Sequence, residues 1–287
     1  MYAFACYITW GLFPVFWKMF TELSALTVLA HRIVWAFVFL FCWIMIVGNK
    51  SFFAYLQQPR TLATLALASF VVCFNWGTYI YAVESNRIIE AGLGYYINPL
   101  VNVLFGYLFL KERLTPMQKA AVASAAAGVA YLAVSYGEIP WISLVLSFSF
   151  GFYGLVKKKL KLEAMPSLAA ETLTMVPLAA IFLTYNIIGK DEALFASPKL
   201  AMLLVAGGIV TAIPLFWFGK ASQSVSLSTL GFIQYLTPTL QVLVGVLIYG
   251  ELFDLDYLVC FAFVWLGLAL YTIGIIRRKS LSTSLIQ

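Results

Sequence analysis

Charged residues are scarce in this chain of 287 amino acids: 10% are Asp, Glu, Lys or Arg, one is histidine, and 63% are hydrophobic. With a mean hydropathy of +0.94, that balance excludes a water-soluble domain. The four cysteines, Cys6, Cys42, Cys73 and Cys260, sit within apolar runs at no disulfide or metal spacing, which leaves them a packing role. A single histidine, no HExxH and no Cys–His pair make an intramembrane enzyme a weak reading, since it needs a metal constellation or a nucleophile with its base. Gly92-Leu93-Gly94 and Gly207-Gly208 have no strand-to-helix context, so they read as close-packing points and not as phosphate cradles. No cofactor and no metal are expected. The net charge of +6 comes from Lys and Arg in short loops, where it speaks to topology and not to nucleic acid.

Long apolar runs fill the chain. Ten are predicted as spans, at about 1–19, 26–47, 61–83, 91–110, 117–135, 140–156, 167–188, 199–219, 227–249 and 257–276, each near the length that crosses a bilayer core. Strands of a membrane barrel would alternate in polarity instead. The first run has no charged lead and no clean small-residue cleavage site, so it is kept as a span and not a signal peptide. Pro59, Pro116, Pro140, Pro166 and Pro198 fall at or just before helix starts, whereas Pro99, Pro177, Pro214 and Pro238 fall inside spans, where they can kink a helix.

The two halves of the chain are related. Gly92, Pro99, Gly106 and Glu112 recur as Gly231, Pro238, Gly245 and Glu251, each 139 positions later. Gly11, Ala30 and His31 line up with Gly151, Ala170 and Glu171 at a spacing of 140. With a cytoplasmic N-terminus, thirteen basic residues lie inside (Lys50, Arg60, Lys111, Arg113, Lys119, Lys157, Lys158, Lys159, Lys161, Lys220, Arg277, Arg278, Lys279) and four outside (Lys18, Arg87, Lys190, Lys199). Insertion favours that bias. Both termini are then cytoplasmic. Five spans per half is an odd number, so the second half enters the membrane upside down. The expected fold is an all-α polytopic membrane protein of ten transmembrane helices in two inverted five-helix repeats, 1–138 and 139–287.

Several motifs resemble one family. They are Trp10-Gly11 with Pro14 and Lys18, His31-Arg32 with Trp35, Leu93-Gly94-Tyr95, and Ile97-Asn98-Pro99-Leu100-Val101-Asn102. The second half adds Phe148-Ser149-Phe150, Phe152-Tyr153-Gly154-Leu155-Val156, Glu171-Thr172, Gly208-Ile209-Val210-Thr211, Leu227 to Phe232, Gln234-Tyr235 and Pro238-Thr239. Together they resemble the EamA-type permeases of the drug/metabolite transporter superfamily, and within them the RarD-like group. The resemblance implies a ten-helix fold that moves small solutes across a bacterial inner membrane, with export the expected direction.

An ionisable residue at membrane depth is costly and is a functional candidate by default. Glu171, one turn into the seventh span, could bind a cation or carry a proton, or could be a structural carboxylate paired with His31, Arg32 or a backbone group. His31 titrates near neutrality and suits proton coupling. Arg32 can clamp a carboxylate. The alternative for both is an interfacial or helix-pairing role. Lys18 at the end of the first span is an interfacial anchor or an anion contact. Of the amides Asn75, Asn98, Asn102 and Gln234, Asn98 and Gln234 lie near the intramembrane prolines and are the stronger cavity candidates. Trp10, Trp76, Tyr79, Tyr95, Tyr96, Tyr153 and Tyr235 could wall a site with polar tips. The predicted substrate-binding set is Trp10, Lys18, His31, Arg32, Asn75, Tyr79, Tyr95, Asn98, Tyr153, Glu171, Gln234 and Tyr235. A secondary transporter of a small metabolite or drug-like solute is the leading expectation. Its partners are the lipid bilayer, the solute and candidate coupling protons, in a monomer or homodimer. A passive channel is the alternative, although no charged ring or carbonyl filter is evident.

Overall fold

Prolines and small polar residues open the helices of the computed structural model, which describes residues 1–110, 114–160, 162–188, 197–224 and 233–284. Lys111, Glu112, Arg113, Lys161, Lys190 and the stretch Leu227 to Phe232 fall outside the described residues. A bent pair comes first: α1 (Tyr2–Gly11) and α2 (Phe13–Trp17), the latter continued by a 3-10 turn, Lys18–Phe20. Next are α3 (Ala25–Val47), a short α4 (Ser51–Leu56), α5 (Pro59–Glu84) and α6 (Ile88–Leu110). The chain goes on through α7 (Pro116–Tyr136), α8 (Trp141–Leu160), α9 (Ala164–Ile188) and α10 (Pro198–Ser224), then α11 (Leu236–Leu247) and α12 (Leu255–Ser284).

The caps follow from residue chemistry. Ser24 accepts the Thr27 N–H ahead of α3, and Thr115 with Gln118 forms a capping box ahead of α7. Pro59, Pro116 and Pro198 each occupy the first helical position, where no N–H is missed. Gly48 and Gly137 close α3 and α7 in the left-handed conformation.

Among the described residues, seven helices are long and apolar enough to cross a membrane, or eight if the bent pair, angled at 45°, is one span. The chain is a multi-pass, all-helical membrane protein. Two further apolar helices, at the expected sixth and ninth spans, are shorter: Trp141–Lys157 and Leu236–Leu247.

The helices pack as an interleaved bundle. α7 lies along α12, α6 along α8 and α11, α3 between α9 and α10, α5 against α8 and α9, and α1 against α10 and α11. At the end that carries Asn86, one apolar cluster joins Phe13, Trp17 and Phe20 to Val28, Ile80, Ile88, Ile142 and Leu204, and a second joins Ile89 and Leu93 to Leu132, Cys260 and Phe261. At the opposite end, the buried side chains divide into separate groups, one around Leu40, Ile44 and Ala170, another around Ala3, Tyr7 and Ala221.

Polar contacts tie the Asn86 end further. Asn86 takes a positive φ of 55° and the Arg87 N–H returns 2.8 Å to the Ala82 carbonyl, ending α5 as a left-handed cap. Lys18 Nζ donates to the Val83 carbonyl at 2.7 Å and to Asn86 Oδ1 at 2.6 Å. Glu251 accepts the Ile88 and Ile89 N–H groups at 2.7 and 2.8 Å, so the N-terminus of α6 is capped from the far half of the chain. Glu90 does the same for α8, accepting the Ile142 N–H at 3.0 Å. Replacing Glu251 with Ala is expected to cost about 1–2 kcal/mol, the usual loss of an N-terminal cap, and Gln to cost less. Thermal unfolding of the two variants checks the order.

Candidate functional site

Arg32 stands two turns into α3, on a helix that is otherwise almost wholly apolar, and is only 4% exposed. Its placement depends on how closely α10 approaches. A Cβ on Gly208 would lie 2.4 Å from the Trp35 carbonyl carbon, and one on Gly207 would rest 3.5 Å from the Trp17 ring. That approach brings Thr211 to Arg32, whose Nε donates to Thr211 Oγ1 at 3.0 Å. The Thr211 hydroxyl proton is committed to the Gly207 carbonyl at 2.8 Å, so its lone pair is free to accept. Trp17 and Trp76 lie against the guanidinium, with ring centroids 4.8 and 4.1 Å from Cζ. Tyr95, Tyr79 and Cys73 are near enough to interact with its charge. Nη1 is buried with no hydrogen-bond partner among the described residues.

The cluster extends through Tyr79. Its ring meets Tyr95 edge-on at 5.9 Å, and its hydroxyl accepts from Gln241 Nε2 at 3.3 Å. Gln241 also donates to the Trp10 carbonyl at 3.3 Å, while its Oε1 is buried and has no partner. Arg32, Tyr79, Tyr95 and Trp10 therefore belong to one neighbourhood, formed by α1, α3, α5, α6, α10 and α11.

Glu171 and Tyr153 form a second cluster. Glu171, 1% exposed, pairs with Lys157, and Tyr153 donates to its other carboxylate oxygen at 3.0 Å. Lys157 also donates to Ser167 Oγ at 2.7 Å. Of the two readings of Glu171, the paired carboxylate is the arrangement present, though the partner is Lys157 and neither His31 nor Arg32. Lys157 lies within α8 and turns inward.

The other candidates are dispersed. Asn75 donates to the Leu146 carbonyl and Ser149 Oγ, both at 2.9 Å, and Asn98 to the Ser147 carbonyl at 3.1 Å. Both amides thus bond across to α8, although Asn75 Oδ1 has no partner. Lys18 serves the end of α5. His31 is turned about 100° around α3 from Arg32, half-buried, with Nε2 unpartnered. Gln234 and Tyr235 are half-buried beside α11, and Tyr235 stacks on Tyr96 at 6.3 Å over a recess of about 440 Å³ shared with Trp265 and Thr272. Among the described residues no three His, Cys, Asp or Glu side chains come together as a metal site. Beyond the spans, Asn49 and Ser51 donate to Glu163 and hold its carboxyl below the usual range.

Trp17, Thr211, Gln241 and Lys157 were not among the expected site residues. Gln241 had a signal: it follows Pro238 by three positions as Asn102 follows Pro99, at the 139-residue repeat offset.

The family model described as "EamA-like transporter family" matches this chain twice, over residues 1–134 and 139–273. The chain is 40% identical to Protein RarD of Escherichia coli over 283 residues, covering 97% of this chain and 96% of that protein. It is 42% identical to an uncharacterized transporter of Pseudomonas aeruginosa over 268 residues, 93% of this chain and 90% of the other. A chloramphenicol-sensitive protein RarD, also of P. aeruginosa, is 30% identical over 264 residues, 90% and 87% of the respective chains. A solved crystal structure of a protein 18% identical in sequence superposes with a TM-score of 0.62 over 96% of both chains, which establishes likeness of fold.

Proposed function

This chain belongs to the EamA-like transporter family, in its RarD-like group, and from that we propose that it is a secondary transporter working by alternating access. The solute is a small metabolite or drug-like molecule, bound between two inverted five-helix halves in a bacterial inner membrane, and export is the working direction. The observation that carries this reading is the buried, unpaired Arg32. Its aromatic neighbours Trp17 and Trp76 come from the first half and its hydrogen-bond acceptor Thr211 from the second. A site shared by two halves is a site their relative motion can open to either side.

The packing supports a two-fold relation between the halves. Spans that correspond by the repeat meet each other, α3 with α9, α6 with α11 and α7 with α12, and the contact of α1 with α10 is matched by that of α8 with α5. The distribution of basic residues would place the Asn86 end outside, where two apolar clusters and the Lys18, Glu90 and Glu251 contacts hold it shut. Protons are the proposed coupling ion. Glu171, buried and paired with Lys157 in this structure, is their proposed carrier.

Counterflow by the purified protein in proteoliposomes tests the proposal, with labelled amino acids, amines, small organic acids and chloramphenicol. Saturable exchange, accelerated by solute on the opposite side, is expected for at least one compound. Flux that rises linearly and ignores the opposite side would replace the carrier with a channel.

A further inference from the structure

We propose that the unpartnered edge of Arg32, enclosed in this structure, is a carboxylate-binding site when the halves part, which makes the solute an organic acid or a molecule bearing a carboxylate; the solute's role rests on the carrier reading above. The geometry leaves the guanidinium one edge without a partner among the described residues. Nε is occupied by Thr211, and Trp17 and Trp76 lie against the cation. What remains is the in-plane edge with the terminal nitrogens, of which Nη1 is buried and unpartnered. A carboxylate takes that edge through two parallel hydrogen bonds.

No internal carboxylate fills this role among the described residues. Glu171 is held by Lys157 and Tyr153, Glu90 by Arg87 and the start of α8, and Glu251 by the start of α6. Glu84 lies beside Lys18. Arg32 is therefore a cation at membrane depth without a counter-ion, an expensive arrangement that two ring contacts offset only in part. One positive charge matches a monoanion. Gln241 Oε1, unpartnered beside Tyr79, adds an acceptor for an N–H or O–H group on the same solute.

The test compares acids with their own amides on the full-length protein in detergent. Lactate with lactamide, phenylacetate with phenylacetamide, and phenylalanine with phenylalaninamide serve as probes at millimolar concentration, read by the thermal unfolding midpoint. At least one acid should raise the midpoint while its amide leaves it unchanged, and Arg32→Gln should abolish the difference. Without solute, Arg32→Gln should unfold at or above the wild-type midpoint, because it removes an uncompensated charge. The absence of an acid–amide difference in every pair overturns the proposal, as does a difference that survives in Arg32→Gln. The first comparison uses the wild-type chain and does not depend on the variant folding. Counterflow of a neutral solute that persists in Arg32→Gln would leave the carrier reading standing and remove the anion site. An acid-specific shift in a protein whose flux behaves as a channel would do the reverse.

Discussion

Lys157→Met is expected to destabilise the protein by about 3–5 kcal/mol, the usual cost of stranding a buried partner of an ion pair. The sign follows from which group is left behind. Glu171 is 1% exposed, and loss of Lys157 leaves it only the Tyr153 hydroxyl, whereas the Lys157 side chain is 24% exposed and is also held by Ser167. Glu171→Gln should therefore cost less, about 1–3 kcal/mol, because the ammonium it strands reaches water more easily. The double variant Lys157→Met/Glu171→Gln should cost less than the sum of the two single losses, by a coupling of about 1–3 kcal/mol in a double-mutant cycle. Thermal unfolding followed by tryptophan fluorescence measures all four corners. Additive single losses would mean that the two side chains do not act as a pair.

That contrast between Glu171 and Arg32 marks how far the amino-acid sequence reaches. Hydropathy and proline placement locate most of the helices, because a bilayer span needs length and apolarity and a helix start tolerates a missing N–H. The same rules flag both Arg32 and Glu171 as costly charges. They do not say which one finds a partner. Lys157 falls one residue beyond the expected sixth span, at 140–156, and so reads as a loop cation that orients the chain. In the structure α8 runs on to Leu160, and the lysine folds back on Glu171. One residue of span boundary thus decides whether the carboxylate is paired or available. Thr211 reaches Arg32 only because α10 approaches α3 without side chains in the way, a contact between segments almost 180 positions apart that no local period encodes. The position of Gln241, by contrast, is legible through the repeat that pairs it with Asn102.

Gly208→Ala should be among the most damaging glycine-to-alanine changes in the described residues, with a loss of about 3 kcal/mol, at the upper end of overpacking costs. The added Cβ would sit 2.4 Å from the Trp35 carbonyl carbon and 2.7 Å from the Ala36 nitrogen, both backbone atoms that no rotamer change can move aside. The roughly 1 kcal/mol that Ala gains over Gly in a helix is too small to offset that clash. The helices α3 and α10 must part, and the Arg32–Thr211 hydrogen bond at 3.0 Å parts with them. Gly154 supplies the internal control. A Cβ there meets only Asn102 Oδ1 at 3.9 Å, an ordinary contact, so Gly154→Ala should be neutral or stabilising by up to about 1 kcal/mol. The same substitution thus has opposite signs at two positions in one bundle, and thermal unfolding reads both. Transport should separate them as well: Gly154→Ala retains counterflow, while Gly208→Ala loses it even at temperatures where the protein is still folded. Equal behaviour of the two variants would mean that the α3–α10 approach does not set the position of Arg32.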